Sequence, residues 1–246
     1  MTAAGSAMVF LLRRIKWTGM RTAFLGFAAG VMVAASVWSL LIPAIEGSKG
    51  GSVPEWVPAA VGFVLGGLFL LALDKITPHF HAAQGTYEGP ASHMRRSWLL
   101  VSAVTLHNIP EGMAVGLSFA YAAQAGEHSA LMASIALAVG IGIQNFPEGA
   151  ALSIPMAGDG VPPWKSFLIG AASGIVEPIF GALAALLASR ITGIMPWMLS
   201  FAAGAMVYVV AEELIPEAHS EKHEHIGTWG VMIGFLVMMV LDVALG

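Results

Sequence analysis

The chain has 246 residues, 57% of them hydrophobic and only 11% charged, with a formal net charge of −4 and a mean hydropathy of +0.78. Soluble domains carry about 25% charged residues, so this balance excludes an ordinary soluble domain and implies an all-α, polytopic membrane protein; no nucleic-acid partner is expected. The lack of cysteine excludes thiolate metal sites and disulfides.

The first apolar run, Met1 to Leu12, is too short to cross a hydrocarbon core about 30 Å thick at about 1.5 Å per residue. It reads as the second half of a transmembrane helix, with either a start that lies upstream or a truncated span. Complete spans follow at about 19–45, 56–73, 97–122, 129–156, 164–189, 194–218 and 226–245. The expected fold is a bundle of eight transmembrane helices, the first truncated, forming one transporter domain over 1–246. Gly26/Gly30, Gly62/Gly66, Gly112/Gly116 and Gly170/Gly174 set small residues one turn apart, which lets helices approach closely in lipid.

The one long connection, 74–96, carries Asp74, Lys75, His79, His81, His93, Arg95 and Arg96. Lysine and arginine are distributed nine to two in favour of loops 1–2, 3–4, 5–6 and 7–8. The positive-inside rule puts those loops in the cytoplasm and both termini outside. The histidines of 74–96, and His219, His223 and His225 in loop 7–8, could hold metal loosely on that side.

Polar residues interrupt the spans at mid-depth. Span 4 contains His107-Asn108-Ile109-Pro110-Glu111-Gly112 and span 5 contains Gln144-Asn145-Phe146-Pro147-Glu148-Gly149. Glu177 lies centrally in span 6, and Glu212 and Glu213 lie nearer the cytoplasmic end of span 7. A carboxylate at the bilayer centre costs roughly 2.5–3.5 kcal/mol even on the lenient insertion scale. No lysine or arginine lies centrally in any span, so these acids must be protonated, hydrated or neutralised by a cation from outside the chain.

His107 with Glu111, and Gln144 with Glu148, are spaced i, i+4 and share a helix face. One imidazole among carboxylates and amides suits Zn²⁺ and tolerates Cd²⁺, Fe²⁺, Mn²⁺ or Co²⁺. So weak a ligand set suits a cargo that must be released. Pro110, Pro147 and Pro178 each deprive a carbonyl (Leu106, Ile143, Gly174) of its helical partner, and are expected to break or bend the helix beside each acid. Spans 4 and 5 run in opposite directions, so the two hexads form an inverted repeat about a midplane site.

These motifs, together with Ser173 to Pro178 and Ala211 to His219, resemble the ZIP family of divalent metal transporters, in particular its bacterial GufA-like branch. The resemblance implies an eight-helix fold, often dimeric, with a binuclear centre formed by spans 4, 5 and 6, and elevator-like movement of cargo into the cytosol. By position it assigns His107, Glu111, Gln144 and Glu148 to the transport-essential site. Asn108, Asn145 and Glu177 fall to a second site, with Glu111 and Glu148 bridging the two. Asn145 stands where some members have aspartate, which weakens the second position.

The function expected is therefore a zinc-preferring uptake transporter of a bacterial plasma membrane, with zinc as substrate and no organic cofactor. Its partners would be divalent ions, the lipid bilayer and a second copy of the chain. The cytoplasmic exit is expected past Glu212, Glu213 and His219. No P-loop (GxxxxGK[ST]) suggests ATP drive. Two rival readings are an intramembrane zinc hydrolase, which lacks HExxH, and a proton-linked organic-solute carrier using the acids as a relay.

Overall fold

The computed structural model describes residues 1–12, 18–77, 79–81, 86–88, 96–191, 193–219 and 224–245. Two short helices, α1 (Thr2–Ser6) and α2 (Val9–Leu12), open the chain. The next segment, α3 (Thr18–Ala35), widens into a π-helical turn at Ser36–Leu41 and continues as α4 (Ile42–Glu46). After α5 (Trp56–Ile76) comes a two-stranded antiparallel hairpin, β1 (His79–His81) with β2 (Thr86–Glu88), with Phe80 in register with Tyr87. Then follow α6 (Arg96–Ala125), α7 (His128–Gly158), α8 (Pro163–Ser173) and α9 (Val176–Arg190). The chain ends with α10 (Met195–Val209), a second π-helical turn at Val210–Leu214, α11 (Ile215–Ala218) and α12 (Glu224–Leu245).

Six helical stretches among the described residues are long and apolar enough to cross a membrane: Gly19–Glu46, Trp56–Ile76, His128–Gly158, Pro163–Arg190, Met195–Ala218 and His225–Leu245. That is a coarser count than the eight expected. The 30-residue α6 is long enough but too polar, because His107, Asn108 and Glu111 take positions that apolar residues hold elsewhere. Thr2–Leu12 is apolar but short.

Large apolar side chains point outward along α5 (Val64, Leu65, Leu68), α9 (Leu183, Leu186) and α12 (Trp229, Met232, Leu236). Such faces would be a liability in water and are the normal outer surface of a membrane protein. Inside, Met32, Leu40, Leu137, Leu199, Met206 and Met238 are fully buried. The strongest pairings join α3 to α12, α5 to α10 and α6 to α9.

All four glycine pairs lie at close contacts. A Cβ at Gly26 or Gly30 would strike the α12 backbone, at Gly62 or Gly66 that of α10, and at Gly112 or Gly116 that of α9. At Gly170 and Gly174 it would strike Ser6 and Thr2 instead, so the short α1 is seated in the bundle. Packing rather than hydrophobicity drives association in lipid, and small residues make it possible.

The prolines do not all interrupt their helices. Pro110 and Pro147 sit inside helices that run on without a break. Only span 6 is interrupted, at Gly174 and Ile175, four and three residues before Pro178. The two widened turns instead precede Pro43 and Pro216. A proline cannot donate to the carbonyl four residues back, and there the preceding turn expands to accommodate it.

The connection after α5 is shorter than 74–96, because Asp74 and Lys75 still belong to that helix and Asp74 is buried. His93 and His223, and the basic residues Arg13, Arg14, Lys16, Arg95 and Lys222, lie outside the described residues.

Candidate functional site

The two hexads face each other on α6 and α7, and five of their polar side chains are buried: His107, Asn108, Glu111, Gln144 and Asn145. Glu148, on α7, and Glu177, in the first turn of α9, are partly buried. A carboxylate in a first helical turn meets the positive end of the helix dipole. Placed there, Glu177 is also next to α6, because Gly112 brings the two backbones together.

Consecutive residues point into different spaces. His107, Glu111, Gln144 and Glu148 line a narrow cavity of about 50 Å³, together with Arg21, Met32, Glu213 and Glu217. Gly112, Asn145 and Glu177 line a second, more open cavity of about 360 Å³, with Met1, Gly116 and Pro178. Glu111 and Gly112, and likewise Gln144 and Asn145, are neighbours in the chain, so the hexads themselves form the wall between the cavities. The narrow cavity has room for a few waters or one partly hydrated ion, given that a water needs about 10–15 Å³ by this measure.

Hydrogen bonds follow this division except for one that joins Gln144 to Asn145. In the narrow cavity His107 Nε2 donates to Glu213 Oε1 at 2.7 Å, while Gln144 Nε2 donates across the partition to Asn145 Oδ1 at 3.4 Å. On the other side Asn145 Nδ2 donates to Glu177 Oε2 at 2.6 Å. The Thr2 hydroxyl donates to Glu177 Oε1 at 3.3 Å. Asn108 is anchored by its Nδ2 to the Ser173 carbonyl at 3.0 Å, beside the break in span 6.

What remains is a set of acceptors. Asn108 Oδ1, Glu111 Oε2, Gln144 Oε1 and Glu148 Oε1 are buried oxygens with no hydrogen-bond partner. Buried polar atoms are nearly always paired, and leaving one unpaired costs about 1–3 kcal/mol, more if charged. Four such oxygens from two motifs, with both carboxyl groups ionised, form a set of acceptors that a cation satisfies. Among the described residues no three His, Cys, Asp or Glu side chains stand close enough to hold an ion unaided. An ion held here would therefore draw on amide oxygens, and His107 would have to exchange Glu213 for it.

Sequence reasoning missed several members of this site. Glu213 was expected only at the exit, yet it is the direct partner of His107; the widened turn before Pro216 carries it there. Asp74, expected in a loop, is buried at the end of α5. Thr2, Arg21 and Glu217 were not singled out at all. Conversely, Glu212 and His219 do not line the narrow cavity. The exposed His219 ring spends its nitrogens on the Ile215 carbonyl at 2.8 Å and the Thr228 hydroxyl at 3.1 Å.

Comparison with known proteins identifies the architecture. The family model described as ZIP Zinc transporter matches residues 81–242. The chain belongs to the ZIP family. Its ZIP relatives include the zinc transporter ZIPB of Bordetella bronchiseptica, 41% identical over 249 residues, with 100% of this chain and 78% of that protein covered. The human zinc transporter ZIP11 is 38% identical, with 100% and 94% covered. The zinc transporter GufA of Myxococcus xanthus is 37% identical, with 90% and 85% covered. The ZIP match extends over both hexads, Glu177 and Glu213.

Proposed function

We propose that this ZIP chain carries divalent metal ions, zinc foremost, across a bacterial plasma membrane into the cytosol. The observation that carries this reading is the set of four buried, unpartnered oxygens from the two hexads, three of them on residues that line the narrow cavity. The relatives are named zinc transporters and lend no support to a hydrolase or an organic-solute carrier. The chain is a transporter rather than an enzyme.

In the topology expected from loop charge, the narrow cavity lies on the cytoplasmic side and the wider one on the outer side. An ion arrives beside Asn145 and Glu177, passes to Glu111 and Glu148 with the oxygens of Asn108 and Gln144, and engages His107 as that ring releases Glu213. It leaves along Glu213. Zinc accepts this mixture of nitrogen and oxygen ligands, and cadmium, iron(II), manganese(II) or cobalt(II) fit it less well or comparably. Shifting the hexads relative to α10 and α3 exchanges which cavity the oxygens face. That exchange is alternating access, and an elevator-like shift is the form we assign to it.

An eight-span topology with both termini outside belongs to the same proposal, with α1 and α2 as the first element and α6 as the fourth span. So does a homodimer, which the mass of the detergent-solubilised protein tests. The decisive experiment on function is zinc uptake by proteoliposomes carrying the wild-type chain, His107→Ala or Glu111→Ala. Uptake by the wild type and its loss in both variants is expected; wild-type rates in both would overturn the site.

A further inference from the structure

Arg21 lies near the start of α3 and forms an ion pair with Glu217 on α11. Both side chains line the narrow cavity that also holds His107, Glu111, Glu148 and Glu213. Among its lining residues Arg21 is the one lysine or arginine, against four glutamates. Glu217 follows Glu213 by four residues, about one helical turn, so the two carboxylates sit in succession along one face. Glu213 in turn bonds His107. The order from the site outward is thus His107, Glu213, Glu217, Arg21.

A guanidinium is charged at every accessible pH and prefers planar carboxylate partners. Its charge therefore cannot be switched off while an ion passes. A divalent ion that reaches Glu213 is one turn from a carboxylate already claimed by a fixed cation, in a cavity of about 50 Å³. Ion and guanidinium compete for Glu217 and repel each other across little water, where screening is weak.

We propose that Arg21 is a tethered counter-cation that expels the metal ion at the cytoplasmic end of the pathway, by reclaiming Glu217 as the ion leaves. The idea rests on the metal-transport reading above and adds a release residue to it. Arg21 and Glu217 are each partly buried, with 23% and 14% of their side chains exposed. The pair is thus sheltered enough to matter and open enough to let an ion out. The same pair keeps Glu217 from becoming a trap when no ion is passing.

The test uses the full chain, with ZnCl₂ as the probe. Equilibrium binding is measured by calorimetry in detergent, and initial uptake rates in proteoliposomes. Arg21→Gln is expected to bind zinc about tenfold more tightly and to turn over at least fivefold more slowly. Arg21→Lys retains a cation and stays within about twofold of wild type in affinity. In the double variant Arg21→Gln/Glu217→Gln the extra station is gone, so affinity returns to within about twofold of wild type. Glu217→Gln alone weakens zinc binding about threefold. Should Arg21→Gln prove poorly folded, Arg21→Lys and Glu217→Gln still decide the matter. Wild-type affinity and turnover in Arg21→Gln, with only a lowered melting temperature, would show a purely structural ion pair and overturn the proposal. Faster turnover in Arg21→Gln would overturn it too, since the pair would then be a barrier to exit. Absence of zinc binding and uptake in the wild type would instead refute the transport reading.

Discussion

Asn145 sets a neutral amide against Glu177, and Asn145→Asp tests what that neutrality does. Asn145 Nδ2 donates to Glu177 Oε2 at 2.6 Å. The substitution deletes that bond, worth about 1.5–3 kcal/mol when the acceptor is charged. It also sets a second carboxylate against the first. At 2.6 Å two unit charges repel by about 6 kcal/mol with an effective dielectric constant of about 20. The repulsion exceeds the lost bond, so the two groups separate unless a cation bridges them. The ion-free protein should therefore lose about 2–3 kcal/mol once side chains relax. For a chain of this size that is a fall of roughly 4–12 °C in melting temperature. Zinc should then return more stability to the variant than to the wild type, because it relieves the repulsion as well as binding. Thermal melts in detergent with and without zinc measure both quantities. An unchanged ion-free melting temperature together with an unchanged zinc-induced shift would refute the account.

Gly112→Val should lower stability by about 1–3 kcal/mol through overpacking, since its side chain would strike the Glu177 backbone on α9; uptake should fall with it, and melts paired with uptake assays check both. Pro216→Ala restores a helical N–H and should tighten the widened turn that carries Glu213. Uptake should drop several-fold while stability is maintained or raised, and a wild-type rate would show that the turn does not position Glu213. Ser39→Ala removes the hydroxyl that donates to Asp242 Oδ1 at 2.6 Å. With Asp242 Oδ2 already unpartnered, the buried carboxylate then has no partner, and denaturation should register a loss of about 1–3 kcal/mol.

Much of the site was legible because its chemistry is local. His107 and Glu111, or Gln144 and Glu148, share a face by helical spacing alone, and carboxylates amid apolar runs declare themselves by their cost. The glycine pairs were legible for the same reason: a one-turn spacing of small residues in lipid serves close packing wherever the partner lies. Sequence spacing could not say which partner, and so gave no hint that Gly170 and Gly174 receive the short α1. Nor could it rank the prolines. Each removes the same donor, but whether the helix breaks, widens or runs on depends on the neighbours that re-satisfy the freed carbonyl. In this fold α6 and α7 continue past Pro110 and Pro147, while the turns before Pro43 and Pro216 widen. The bond between His107 and Glu213 spans 106 residues, and the Arg21–Glu217 pair joins segments farther apart still; no local pattern encodes either.

The wall between the two cavities is one residue thick, with Glu111 and Gln144 on one side and Gly112 and Asn145 on the other. Where water enters both cavities, the voltage across a membrane does not fall evenly over the full thickness but concentrates across this partition. Moving one elementary charge through the whole potential is worth about 2.3 kcal/mol per 100 mV, hence about 4.6 kcal/mol for a divalent ion. Most of that work would be done over the few ångströms between neighbouring side chains, so the electrical driving force acts chiefly on the single step past the hexads.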